Sequence, residues 1–363
     1  MRIGIVLHPY GEHQPAGLAR TIFELTKGML AVDTENEYII FLKRTPATMP
    51  DLPGKNWRVY ILGDGFFWLN RLSRAPLCDV TIFNTPVLSF FYKPKNAIVL
   101  ALDFAYYYFP PKRLKAKMLN WLTFAYHLYS LRRADHIVAI SEATKEDTIQ
   151  LFGITPQKIT AVLCGFKDVC KVSEKAISVP EKYFLFVGVM KERKNVANVV
   201  RGFRQICEKF PDYMLALAGK AEGPYADAIK RYIVDENIES RVRWIGHLND
   251  GELSYVYRRA SALVFASFIE GFGYPVLEAM ACGVPVITSR STSLGEICQH
   301  GSALLIDPAK PEEIAHAMER MIQEPHLREE LIRKGFAQAK LFSWEKSGKE
   351  MLAVIRRIQE KKL

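Results

Sequence analysis

Two short apolar runs, at 262–266 and 284–288, are joined by a loop holding Gly271 and Gly273 and by a stretch that Pro275 opens as a helix. Strand, glycine loop, helix and strand in such close succession form the unit from which parallel sheets are wound. Glu270 sits at the mouth of the loop and Glu278 in the first turns of the helix. Both carboxylates thus fall near one helix N-terminus, where backbone N–H groups and the positive dipole end await an anion. Two acids and an anion cradle at one strand's carboxyl edge suit a ligand with hydroxyls at one end and phosphate near its middle.

The same alternation runs through the chain. Apolar runs at 3–7, 38–42, 59–62, 80–83, 97–102, 136–140 and 159–163 read as strands, with helices near 113–133 and 142–152. The pattern lapses over the polar, non-periodic stretch 168–180. It resumes with strands at 183–188, 214–218, 242–245, 263–265, 286–288 and 304–306, between helices near 195–209, 224–236, 250–260, 275–282, 311–323 and 325–340. The expected organisation is a first α/β domain over 1–168, a linker over 169–182, a second α/β domain over 183–342 and a last amphipathic helix over 343–363. Two comparable halves imply a cleft with strand carboxyl ends facing across it.

A chain of 363 residues is long enough for two domains with their own cores. No apolar run approaches the roughly 18 residues that span a bilayer. Residues 2–7 are too short for the apolar core of a leader and read as a strand. The cysteines at 78, 164, 170, 207, 282 and 298 show no C-x-x-C pairing, and are expected as scattered buried thiols in a reducing cytoplasm. The net charge of +10 gathers largely in the first half, around Lys93, Lys95, Lys112, Arg113, Lys115, Lys117, Arg132 and Arg133. Polyphosphate, anionic lipid headgroups and nucleic acid are all compatible with that excess. Nucleic acid rests on charge alone, with no matching module, and is set aside as a partner. Aromatic-rich segments at 66–69 and 104–109 divide between core packing and the lining of an acceptor groove.

Two further loops bear on chemistry. A polar loop over 8–16 leads to Gly17, after which Leu18, Ile22, Leu25 and Met29 share a helix face. That is a phosphate-binding geometry, although without a full G-x-G-x-x-G a tight turn explains it equally well. In the second half, Arg193 and Lys194 stand on a loop between a strand and a helix. Opposite two carboxylates and a glycine cradle, a diphosphate clamp accounts for them better than a solvated loop, because Arg offers a bidentate fork and Lys a point charge.

With these motifs the chain resembles glycosyltransferase family 4, retaining enzymes that use nucleotide sugars and have the GT-B fold: α/β, two Rossmann-like doubly wound domains facing across a cleft. The likeness covers nearly the whole chain. It takes in the Gly17 turn, Asp103, the segment 134–142, Gly188 through Arg193-Lys194-Asn195, Ala218-Gly219, Gly246, the E-x7-E signature from Glu270 to Glu278, and Phe342-Ser343-Trp344. The resemblance implies that Glu270 and the backbone N–H groups of Gly271, Phe272 and Gly273 hold the sugar. It assigns Glu278 to the ribose and Arg193 and Lys194 to the diphosphate, and has Gly17 admit the backbone to the phosphates. Gly219, Lys220, Gly246 and Leu248 would border the base, with Asp103 and Gly188 also on the donor side. The last helix of such folds crosses back to the first domain.

The resemblance also implies retention by front-face attack, with the leaving phosphate taking the acceptor's proton, and on that reading Glu270, Arg193 and Lys194 are the catalytic set. Cations and a helix N-terminus stabilise the departing diphosphate, so neither metal nor cofactor is expected. A two-carboxylate hydrolase is the rival chemistry, but Glu270 and Glu278 would lie at opposite ends of the donor rather than around one bond. Leu102 stands where many relatives carry His, Val189 where many carry Arg, and Ala16 where the first of two glycines is common. The Arg-Lys-Asn form most resembles mannosyltransferases using GDP-mannose, with a UDP-sugar as the alternative. The acceptor expected is a polysaccharide, a lipid-linked saccharide or another glycoconjugate. It would be reached from the cytoplasm by peripheral contact of the basic half with anionic membrane. A non-catalytic sugar-nucleotide binder of the same fold is the other reading.

Overall fold

Short β-branched and aromatic runs bounded by Gly, Pro, Asn and Asp become strands, and the apolar-periodic segments between them become helices. The computed structural model describes residues 1–10 and 17–360. They fall into two units, Met1–Gly165 with Phe342–Leu363, and Phe166–Leu341.

The first unit runs β1 (Arg2–Val6), α1 (Gly17–Val32), β2 (Glu37–Leu42), β3 (Trp57–Ile61), β4 (Val80–Phe83), β5 (Ala97–Ala101), α2 (Ala105–Tyr108), α3 (Leu114–Arg133), β6 (His136–Ala139), α4 (Glu142–Phe152) and β7 (Ile159–Ala161). Its sheet has the order β3-β2-β1-β4-β5-β6-β7, every pair parallel. The central strands are buried on both faces, which is why β4 and β5 are wholly buried instead of alternating. Helix α4 starts where the Ser141 hydroxyl accepts the Thr144 N–H, and stops at Gly153 in the left-handed region. The aromatic segments divide: Phe104 is fully buried, whereas Phe66 and Phe67 stand exposed before a 3-10 turn over Trp68–Arg74 that buries Leu69 and Leu72.

The second unit runs β8 (Lys182–Val187), α5 (Val196–Ile206), β9 (Tyr213–Ala218), α6 (Pro224–Asp235), β10 (Val242–Gly246), α7 (Asp250–Arg259), β11 (Ala262–Phe265), α8 (Tyr274–Ala281), β12 (Val286–Ser289), α9 (Thr292–Ile297), β13 (Leu304–Ile306), α10 (Pro311–Gln323) and α11 (Pro325–Ala339). Its parallel sheet has the order β10-β9-β8-β11-β12-β13. Strand order reverses between β8 and β11, so the chain leaves these neighbours toward opposite edges of the sheet and their carboxyl ends mark the switch point where sheets of this kind bind ligands. Helix α12 (Trp344–Glu360) follows, and it packs on α1 in the first unit. Lys361, read from sequence as part of that helix, lies outside the described residues.

One expectation is corrected. The cysteines are not all thiols: Cys170 and Cys282 form a disulfide with their Cα atoms 5.4 Å apart. They are 112 residues apart in sequence, and such a pairing leaves no local spacing to read. The stretch from Val169 onward meets α7 as well. Glu174 pairs with Arg258 and Arg259, Lys175 pairs with Glu252, and Arg258 donates to the Cys170 carbonyl.

Candidate active site

Chemistry concentrates where the strand order turns. The loop leaving β8 ends in a 3-10 turn over Glu192–Lys194 and then in Asn195, whose φ of 56° is left-handed. Asparagine tolerates that conformation better than most side chains. Its amide donates to the carbonyls of Ala266, at 2.9 Å, and Pro308, at 2.6 Å. The loop leaving β11 reciprocates, with the Phe268 N–H donating to the Arg193 carbonyl at 2.8 Å. The two loops at the switch point are thereby fastened to each other, and both cations are aimed at Glu270.

Arg193 Nη1 lies 3.2 Å from Glu270 Oε2 and donates to the Ile269 carbonyl at the same distance. Lys194 Nζ lies 2.5 Å from Glu270 Oε1, and 4.9 Å from the centre of the Phe265 ring. The Glu270 side chain is 8 % exposed, against 23 % for Arg193 and 14 % for Lys194. Burial pushes the Glu270 carboxyl up, but Lys194 and Arg193 outweigh it and hold the group below its ordinary range. Two cations and one carboxylate leave the cluster one net positive charge.

Glu270 is fixed through its backbone as well, since the Ser293 hydroxyl donates to its carbonyl at 2.9 Å. Gly271, Phe272 and Gly273 follow, all buried, with the Phe272 ring against Tyr274. What these three present is backbone. Gly273 has φ 112°, and a Cβ there would lie 2.6 Å from Leu294 Cδ2, so the turn into α8 needs glycine. No side chain caps α8, whose positive end begins four residues after Glu270. Glu278 lies within α8, buried, with its Oε2 3.3 Å from the Tyr257 hydroxyl of α7.

Gly188, Gly219 and Gly246 form a ladder across the carboxyl ends of β8, β9 and β10. The Gly188 N–H donates to the Ala218 carbonyl at 2.9 Å, and the Gly219 N–H donates to the Gly246 carbonyl at 2.7 Å. The Met190 N–H donates to the Lys220 carbonyl at 3.1 Å. A Cβ on Gly219 would lie 2.0 Å from the Gly188 carbonyl oxygen. Lys220 is exposed and Leu248 half-buried.

Gly17 and Asp103 belong to the first unit. Gly17 opens α1, while residues 11–16 of the loop before it, Ala16 included, lie outside the described residues. Asp103 follows β5, and its Oδ1 accepts the Ala105 N–H at 3.1 Å. Leu102 beside it is buried, and Val189 in the second unit is exposed. Sequence reasoning missed Asn195 as the loop anchor, Tyr257 as the partner of Glu278 and Ser293 behind Glu270. The position of Asn195 directly after the cations was the available signal. Tyr257 and Ser293 had none, because their partners lie on other elements.

Two family models match the chain, one described as Glycosyltransferase Family 4 over residues 16–168 and one as Glycosyl transferases group 1 over 171–338. The chain is 30% identical to the O-antigen chain mannosyltransferase B of Escherichia coli, across 80% of this chain and 72% of that one. It is 24% identical to the O-antigen chain mannosyltransferase RfbU of Salmonella typhimurium, across 74% and 71%. Among solved structures, the sucrose-phosphate synthase of Thermosynechococcus elongatus is similar with a TM-score of 0.76 at 19% identity, covering 99% of both chains. Anabaena HepE in complex with UDP-glucose gives 0.76 at 16% identity, covering 98% of this chain and 100% of that one. These likenesses identify the fold as GT-B.

Proposed function

The chain belongs to glycosyltransferase family 4 and is a glycosyltransferase; from that premise we propose that it moves mannose from GDP-mannose to a saccharide or lipid-linked saccharide acceptor, with retention and without a metal. The observation that carries the reading is the buried Glu270 held between Arg193 and Lys194 at the mouth of α8. Breaking the sugar–phosphate bond puts negative charge on the departing diphosphate and positive character on the anomeric carbon. The excess positive charge of the cluster and the α8 N-terminus serve the first. The Glu270 carboxylate, kept ionised by its neighbours, serves the second. In this reading Glu278, which accepts a hydrogen bond from the Tyr257 hydroxyl, takes the ribose. The mannosyl assignment draws on the relatives, two of which are O-antigen chain mannosyltransferases.

Thermal stabilisation by GDP, UDP and ADP tests the base, since a ligand at about 100 times its Kd adds roughly 2.7 kcal/mol. GDP is expected to raise the Tm most, and GDP-mannose to be slowly hydrolysed or transferred in EDTA with its anomeric configuration kept. Preference for UDP would replace the donor assignment. Loss of turnover in EDTA would remove metal independence, and inversion at the anomeric carbon would remove the mechanism.

A further inference from the structure

Cys282 closes α8 one turn after Glu278, and its N–H donates to the Glu278 carbonyl at 3.1 Å, so the two side chains share a helix face. Its disulfide partner Cys170 stands in the turn Val169–Lys171, which lies against α7 and α8. Arg258 of α7 donates to the Cys170 carbonyl at 2.6 Å, and Tyr257 beside it donates to Glu278 Oε2 at 3.3 Å. These contacts close a triangle. The turn meets α7 through Arg258, α7 meets α8 through Tyr257 and Glu278, and the disulfide joins α8 back to the turn. Only the last side is covalent. With eight residues, α8 is about 12 Å long, too short to isolate Glu278 from what happens at Cys282.

The other four cysteines are poor targets for thiol chemistry. Cys164, Cys207 and Cys298 are buried, and burial pushes the Cys78 thiol up to about 11. Cys170 and Cys282 are each half-buried, which leaves their bond within reach of a small thiol. We propose that this bond is a thiol–disulfide switch on the donor site: oxidised, it braces α8 and Glu278 for the nucleotide, and reduced, it frees the end of α8 so that the donor binds more weakly. A thiolate of a dithiol reductant attacks one sulfur of the pair, the S–S bond breaks and a mixed disulfide forms, which the second thiol then displaces. The protein gains two electrons and two protons as the Cys170 and Cys282 thiols, and the reductant leaves as its own disulfide. The inference rests on the reading of Glu278 as a donor contact and adds a control to it.

The full chain, prepared oxidised and treated with dithiothreitol in the absence of denaturant, tests the switch. Alkylation should then tag Cys170 and Cys282, with the circular dichroism of the folded chain retained. In titration calorimetry GDP is expected to bind the reduced chain about fivefold or more weakly, and oxidised glutathione should restore the affinity. Hydrogen exchange over residues 274–283 should quicken on reduction, because the end of α8 has lost its tether. Cys170→Ser should bind GDP as the reduced chain does, whether dithiothreitol or oxidised glutathione is present. Should that variant fold poorly, the cycle of reduction and reoxidation on the native chain decides alone. Equal or tighter GDP binding after reduction, or a bond that dithiothreitol opens only in denaturant, would overturn the switch and leave the donor reading standing. If neither GDP, UDP nor ADP binds in either state, the donor reading falls and the switch falls with it.

Discussion

In the proposed donor site Glu270 competes with the diphosphate for the two cations it pairs with, and that competition can be measured. Glu270→Gln keeps the shape, removes the negative charge and frees Arg193 and Lys194 from their internal partner. Free nucleotide diphosphate is therefore expected to bind about tenfold tighter while turnover falls by on the order of 10²–10³. Titration calorimetry and steady-state kinetics read the two effects separately. Arg193→Ala should instead weaken donor and free diphosphate together; a change confined to the acceptor's KM would contradict the clamp. A second residue-scale effect lies in the first unit, where burial pushes the His127 imidazole down to about 4, with Nδ1 2.8 Å from the Tyr106 hydroxyl. Unfolding restores a value near 6.5, so between about pH 6.5 and 4 the unfolded chain binds the extra proton and stability falls as pH falls. The slope from this group is at most about 1.4 kcal/mol per pH unit. Urea melts across that window should show a shallower decline for His127→Gln.

At the scale of elements, the strand ends are held so close that one methyl group tests the packing. Gly219 and Gly223 both have positive φ, 131° and 88°, but an added Cβ meets the Gly188 backbone at the first and nothing within 4 Å at the second. Gly223→Ala should therefore cost about 1 kcal/mol from strain alone, and Gly219→Ala about 2–5 kcal/mol from strain plus overlap. Equal losses in chemical denaturation would show that the ladder relaxes. The strands themselves were legible, because buried parallel strands are unbroken apolar runs and their ends are marked by glycine and proline. Helices α2 and α9 were not. They are four and six residues long, too short to display a helical period. Glu270 and the Arg-Lys pair were each legible as candidates, but their direct contact spans 76 and 77 residues and arises only because β8 and β11 are neighbours in the sheet. The Cys170–Cys282 bond was hidden because it joins the turn at Val169–Lys171 to the end of α8 across 112 residues. Denatured, unreduced protein should yield four reactive thiols instead of six, and reduction should lower stability by about 2–5 kcal/mol.

At the scale of the whole molecule, the first unit is assembled from both ends of the chain, with its last helix against its first. Helix α12 buries Met351, Leu352, Val354 and Ile355, and the Ser347 hydroxyl donates to the Leu163 carbonyl at 2.6 Å. The contact is backbone to backbone. A Cβ on Gly28 would lie 2.0 Å from the Trp344 carbonyl oxygen, and one on Gly348 would lie 2.5 Å from the Gly28 carbonyl carbon. Any larger residue at position 28 must push the helices apart, and the apolar face of α12 then loses its seat. Gly28→Val is expected to cost the first unit on the order of 3–5 kcal/mol, at the high end for a single substitution. It should also expose the segment after Leu341 to limited proteolysis. The second unit keeps all its own strands, so a calorimetric scan should resolve a lowered transition beside an unchanged one, and deletion of 342–363 should reproduce that profile. A Gly28→Val chain that melts as the native chain does and resists the protease would mean that α12 is not docked through these glycines.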